Sequence, residues 1–179
     1  MEFSSDHVGH EQEITDLFTQ TFTVSEGPEE GEIIGELAKN LLKSTPSKDL
    51  FVFLASEGST LVGCIFFSRM SFEQDKRTVF ILSPVAVKTD QQGKGIGQRL
   101  LTHGLGEIRN KGVDIATTYG DPKYYSKVGF QQMNEDFAQA PFKLTYPHGW
   151  LGQSLTDQSF DPLAGPSRCV AALNDPSFW

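Results

Sequence analysis

Residues 81–101 read "ILSPVAVKTDQQGKGIGQRLL": an apolar run, a polar stretch with three alternate glycines, and a second apolar run spaced as a helix. The first run is apolar on both faces, as a central strand must be. Pro84 interrupts it with no N–H to give to a ladder, which predicts a bulge or a parting from one neighbour there. Downstream, Ile96, Leu100, Leu101, Leu105 and Ile108 recur at helix spacing, closed by Arg109, Lys111 and a C-cap at Gly112. Between the two runs, Gly93, Gly95 and Gly97 stand where a helix begins, at a cost of about 1 kcal/mol each against alanine. A strand, a glycine-rich turn and a helix N-terminus together make an anion site. Backbone N–H groups face outward there without partners, the helix dipole favours negative charge, and Lys94 adds a cation.

The flanking sequence fills in the order of elements. "HEQEITDLFTQTF" carries Ile14, Leu17, Phe18 and Phe22 on one face of a first helix. "SEGPEEGEIIGELAKNLLKS" places a Gly-Pro loop before a second helical pattern through Ile33, Ile34, Leu37, Leu41 and Leu42, ended by Lys43 and Pro46. "LFVFLASEGSTLVGCIFFSRM" reads as a hairpin about Glu57-Gly58-Ser59. After the glycine loop and its helix come a strand in "VDIATTYGD", a short helix in "PKYYSKV" with Asp121 as N-cap and Pro122 at its first position, and a strand in "GFQQM". "PFKLTYP" and "RCVAAL" read as late strands, with "HGWLGQSL" in the loop between them. A hairpin followed by a strand-helix-strand crossover requires a mixed sheet with helices on its faces.

Composition narrows the function classes. The 179 residues suffice for one sizeable core, and 15 Lys plus Arg against 23 Asp plus Glu give a net charge of −8. With no basic stripe, nucleic acid is not expected as a partner. No window of about 18 apolar residues is present, and the N-terminus lacks the basic and apolar regions of a signal peptide. A cytoplasmic protein with no membrane partner is expected. Cys64 and Cys169 lie in apolar runs as packing residues; His7 and His10, three apart, have no Cys or second His pair in support, and His103 and His148 are isolated, so no metal is expected.

Two phosphate motifs fail against the letters: GxxxxGK followed by Ser or Thr is absent, and GxGxxG breaks at Gln98 or at Leu100, depending on the starting glycine. What fits is QxxGxG, at Gln92, Gly95 and Gly97. This resembles the pyrophosphate-binding element of the GNAT superfamily of acyl-CoA-dependent N-acyltransferases, which lies between the fourth strand and the third helix. "YYSKVGF" is similar to the family's Tyr-x-x-x-Gly-Phe, and "GDPKYYSKVGF" looks most like a subgroup of small acetyltransferases with Gly-Asp-Pro-x-Tyr-Tyr. Many members have Asn where this chain has Gly120-Asp121-Pro122. The resemblance implies an α/β fold of the α+β type: a mixed, mostly antiparallel twisted sheet of about seven strands flanked by helices on both faces. It implies a single domain over 1–179, with a core over about 1–146 and a C-terminal extension over about 147–179.

The resemblance also implies an enzyme moving an acetyl group from acetyl-CoA to a primary amine of a small molecule or peptide, by direct attack in a ternary complex. The alternative is an acyl-CoA-binding sensor without turnover. Cofactor contacts fall on Val85, Ala86 and Val87 for the pantetheine arm and on Gln92, Gly93, Lys94, Gly95, Ile96 and Gly97 for the pyrophosphate. The N–H of Val85 or Val87 would meet the developing oxyanion. Tyr125, four residues before Gly129, is placed as the general acid for the leaving thiolate, with Tyr124 as the runner-up. No general base is assigned among Glu73, Asp75, Glu135 and Asp136. Phe142, Tyr146 and Trp150 are candidates for shaping the acceptor pocket. The state of assembly is left as monomer or homodimer.

Overall fold

The structure, a computed structural model, describes residues 1–179. Strands β1 (Glu2–Ser4), β2 (Leu50–Glu57), β3 (Thr60–Phe72), β4 (Val79–Val87), β5 (Ile115–Tyr119), β6 (Gln131–Gln132), β7 (Trp150–Ser154) and β8 (Ser167–Arg168) are joined by helices α1 (Glu11–Glu26), α2 (Pro28–Ser44), α3 (Ile96–Asn110) and α4 (Pro122–Tyr125). The sheet runs in the order β1-β2-β3-β4-β5-β7-β6, with β8 paired to β3. Its β4–β5 pair is parallel, and the pairs β1–β2, β3–β8, β5–β7 and β6–β7 are antiparallel, so the mixed, mostly antiparallel sheet is as expected. No helix is long and apolar enough to cross a membrane. By its internal contacts the chain forms two compact units, residues 1–66 with 84–104 and residues 67–83 with 105–179.

In the first unit, Ile14, Leu17 and Phe18 of α1 are buried, and Phe18 lies 5.5 Å from the Phe66 ring of β3. A Cβ on Gly63 would meet the Leu100 side chain of α3 at 3.3 Å. Positions 63 and 66 point to opposite faces of a strand, so α1 and α3 cover the two faces of β3. Helix α2 starts at Pro28, directly after Gly27, rather than after a loop; proline at the first helical position loses no bond that a helix would have made. Gly31 and Gly35 of α2 lie against Thr23 and Thr19 of α1, where a Cβ on either glycine would overlap the threonine hydroxyl. The β2–β3 turn is the two-residue Gly58-Ser59, with positive φ only at Gly58, as a type II′ hairpin turn has it.

In the second unit, α3 ends in a Schellman motif, with Val113 N–H donating to the Ile108 carbonyl and Gly112 N–H, at φ 87°, donating to that of Arg109. Asp75 accepts from Arg77 Nε and Nη2, at 3.0 and 2.7 Å, and from the N–H groups of Arg77 and Ala164. Arg77 also donates to the carbonyls of Asp161 and Pro162, which fixes the late loop.

Three late expectations need correction. "PFKLTYP" forms no strand, and "HGWLGQSL", read as loop, supplies β7, which pairs with β5 on one side and β6 on the other. The sheet therefore does not close by residue 146. The glycines and proline around Trp150 hid a strand whose buried residues Trp150, Leu151 and Gly152 do not alternate with polar ones. "RCVAAL" likewise contributes only the end of the two-residue β8 and then a 3₁₀ turn over Ala171–Leu173.

Candidate functional site

The glycine loop belongs to the first unit. A 3₁₀ turn over Thr89–Gln91 leads from β4 to Gly93 and Gly95, with φ 77° and 75°, a left-handed backbone that L side chains adopt only under strain. A Cβ on either would meet nothing within 4 Å, so these glycines serve the backbone path and leave the space above it clear. Helix α3 makes its first bond from Arg99 N–H to the Gly95 carbonyl. The N–H groups from Gly93 to Gln98 donate to no carbonyl of the chain. Gly97 lies inside the helix and is buried, while Gln92 and Lys94 are exposed.

The two polar side chains of the loop are already engaged. Gln92 Nε2 donates to the Val87 carbonyl at 2.9 Å, tying the loop to the end of β4, and Lys94 Nζ donates to Gln91 Oε1 at 2.9 Å. Gln92 thus shapes the loop, and the ammonium of Lys94 keeps further N–H donors.

The strand before the loop behaves as Pro84 predicts. Its register with β5 runs from Val79–Ile115 to Leu82–Thr118 and stops two residues before the proline. Beyond it, Lys88 N–H donates to the Val62 carbonyl and a Cβ on Gly63 would touch the Ala86 carbonyl, so the even-numbered residues turn their backbone groups toward β3. Val85 and Val87 turn theirs to the opposite side, past the end of the β5 ladder. The Val87 carbonyl is the acceptor that Gln92 uses.

The tyrosines belong to the second unit. Asp121 caps α4, its Oδ1 accepting from Lys123 N–H at 2.9 Å, and Pro122 takes the first position. Tyr125 sits edge-on to Tyr124 at 5.1 Å and to Phe130 at 5.8 Å. A Cβ on Gly120 would come within 2.7 Å of Tyr125 Cε2, so Gly120 is the surface on which this ring rests. Burial pushes the Tyr125 phenol well above its ordinary value, with the neighbouring Tyr124 and the Asp121 carboxylate acting the same way and the Thr118 hydroxyl against them. Tyr124 is raised by burial alone. Thr118 donates its hydroxyl to the Leu82 carbonyl at 2.8 Å, at the last paired residues of β4 and β5. In the sequence Gly120 stands out only as part of the Gly-Asp-Pro that replaces the family's Asn, and Thr118 not at all.

The expected acceptor residues separate. Trp150 is fully buried, its Nε1 donating to the Ala138 carbonyl at 2.8 Å and its ring 6.0 Å from that of Trp179. This corrects its reading as a pocket wall: it is a core side chain. Phe142 is half-buried. Tyr146 is 63% exposed, and its N–H donates to the Tyr119 hydroxyl at 2.6 Å. Of the carboxylates considered for a base, Asp75 is taken by Arg77, and Glu73 accepts from Arg168 at 2.8 Å. Glu135 and Asp136 are exposed. Cys64 is buried and Cys169 only half-buried, and burial raises both thiols, away from nucleophilic use.

Comparison with known proteins follows the same lines. The model of the acetyltransferase (GNAT) domain matches residues 48–132. The uncharacterized N-acetyltransferase YjhQ of Escherichia coli K12 is 33% identical over 140 residues, 75% of this chain and 77% of that protein. Among solved structures, a GNAT family acetyltransferase from Brucella melitensis in complex with acetyl-CoA aligns with a TM-score of 0.75 at 22% identity, over 96% of this chain and 97% of that one. The N-acetyltransferase YhbS from Escherichia coli in complex with CoA aligns at 0.77 and 19%, over 97% and 92%. These two share the fold, and the YjhQ match carries the relationship further: this chain belongs to the GNAT family of acetyltransferases.

Proposed function

We propose that this protein transfers an acetyl group from acetyl-CoA to a primary amine by direct attack. The observation that carries the reading is the row of unpartnered N–H groups from Gly93 to Gln98, on a loop whose two left-handed glycines leave the space above it empty. Such a cradle fits a pyrophosphate, with Lys94 adding charge and Gln92 holding the loop in shape. Val85 and Val87, whose backbone groups face away from β3, offer the strand edge for the amides of the pantetheine arm, with Ala86 between them paired toward β3. The acetyl-CoA thioester supplies the activated acyl carbon and a thiolate leaving group. The N–H of Val85 or Val87 meets the negative charge that builds on the carbonyl oxygen. Tyr125 gives its proton to the departing sulfur as the C–S bond breaks, and the proton that the attacking nitrogen loses as the amide forms restores the phenol. Its raised pKa keeps it protonated at neutral pH, and a sulfur anion held out of water is made more basic by the same burial, which keeps the transfer feasible.

The test is direct. Purified protein is warmed with and without acetyl-CoA, and free thiol is followed across a panel of primary amines. A rise in melting temperature with amine-dependent thiol release is expected; at a donor concentration of about 100 Kd the stabilisation is about 2.7 kcal/mol. Stabilisation without thiol release would make the protein an acyl-CoA sensor, and no stabilisation would remove the acyl-CoA reading altogether.

A further inference from the structure

A groove of about 450 Å³ runs along α1, closed by the start of β3 and by the segment that follows β4. That volume lies within the roughly 300–1,000 Å³ of small-molecule sites. Three carboxylates line it, Glu13, Asp16 and Asp90, against one cation, Lys88, and Leu17 and Leu61 give it an apolar wall. Glu13 is committed, accepting from Leu61 N–H at 3.3 Å and facing His10 at 3.0 Å. Asp16 meets Gln12 through Oδ1 alone, and Asp90 has no side-chain partner.

Thr21 points to a ligand independently of these charges. It lines the groove and is only 7% exposed. On the same helix, Thr15 and Thr19 give their hydroxyls to carbonyls four residues back, at 2.8 and 2.9 Å. The Thr21 hydroxyl makes no such bond and has no other partner in the chain. It is not a sealed-in orphan like Ser68, so the small area it shows to solvent lies in the groove. On a residue nine-tenths buried, a hydroxyl without a partner in the chain is an open hydrogen-bonding position facing the groove.

We propose that this groove binds an alkylammonium ligand, its charged head held by Asp16 and Asp90 with the Thr21 oxygen accepting an N–H, and its hydrocarbon stem against Leu17 and Leu61. Val85, Val87 and Tyr125 do not line it. On the reading of function given above, it adjoins the acyl-CoA loop through Lys88–Asp90 without including the residues given to acyl transfer; that relation rests on that reading, and the binding does not.

The experiment is calorimetric titration of 1,4-diaminobutane into the full chain without acetyl-CoA, at fixed ionic strength. Saturable single-site binding is expected. Asp16→Asn with Asp90→Asn should weaken it at least tenfold, Thr21→Val severalfold, and Thr21→Ser little. The equal charge change Glu29→Gln with Glu30→Gln, at the start of α2, should leave the isotherm as it was, and circular dichroism confirms that each variant folds. An absent or non-saturating signal, an isotherm that the Asp16 and Asp90 changes leave intact, or equal weakening by the α2 pair would each overturn the proposal. Because acetyl-CoA is left out, failure of acetyl transfer leaves this result standing, and failure here leaves acetyl transfer standing.

Discussion

Glycine does opposite work in the two regions that carry the candidate chemistry. At Gly93 and Gly95 the backbone is left-handed and the volume where a side chain would stand is empty. At Gly120 that volume is filled by the ring of Tyr125. The first kind of glycine leaves a surface open beside the loop; the second lets a side chain within the chain settle into place. Binding and chemistry should therefore fail separately when the two are disturbed.

The largest effect is expected from Gly95→Trp, which fills the space over the loop and strains its φ of 75°. Acetyl-CoA affinity should fall more than about a hundredfold by titration. Next, Tyr125→Phe should lower kcat about a hundredfold, the lower end of general acid catalysis, while acetyl-CoA affinity stays within about twofold. Unchanged kcat would strip the tyrosine of its acid role and leave the comparison one-sided. Asp75→Asn tests the frame of the second unit, since a carboxylate only 11% exposed loses its charge-assisted bonds to Arg77; about 2 kcal/mol should be lost at pH 7 by denaturant unfolding. Arg77 holds the Asp75 carboxyl far below its ordinary value. The contribution is thus complete above about pH 4 and fades as pH falls toward the folded value, so parent and variant should converge in acid. Gly120→Ala should push the Tyr125 ring and lower kcat about tenfold with acetyl-CoA binding unchanged. A matching loss of binding would show that the two kinds of glycine do not divide the work. The smallest change is Asp121→Ala, which removes the α4 cap for about 1 kcal/mol of stability.

The same division explains what could be read from the sequence. Gly93 and Gly95 act locally: their conformation and the helix that follows are set within a dozen residues, so the loop, its helix and the early parting of β4 at Pro84 were all legible. The α4 cap was legible for the same reason, as Asp121 and Pro122 act on adjacent N–H groups. The packing role of Gly120 was not legible, because its reason is a ring five residues on, which spacing alone does not reveal. The bond from the Gln92 amide back to Val87 was not legible, since the motif speaks only of a ligand contact. Trp150 looked like a loop aromatic because turn residues surround it, and only its bond to Ala138 and its contact with Trp179 show it to be core. The Gly31 and Gly35 pair was visible at helix spacing but lacked meaning without knowing that α1 packs against it.

Strand β7 fixes an order of events during synthesis. It arrives after β5 and β6 and pairs with both, through Tyr119–Trp150 at one edge and Gln131–Gly152 at the other. A nascent chain that has emerged only through residue 149 holds the Asp121 cap and both tyrosines, yet β6 still lacks the strand it pairs with. A ribosome stalled there should present the tyrosine turn to proteases, and release of the next few residues should close it.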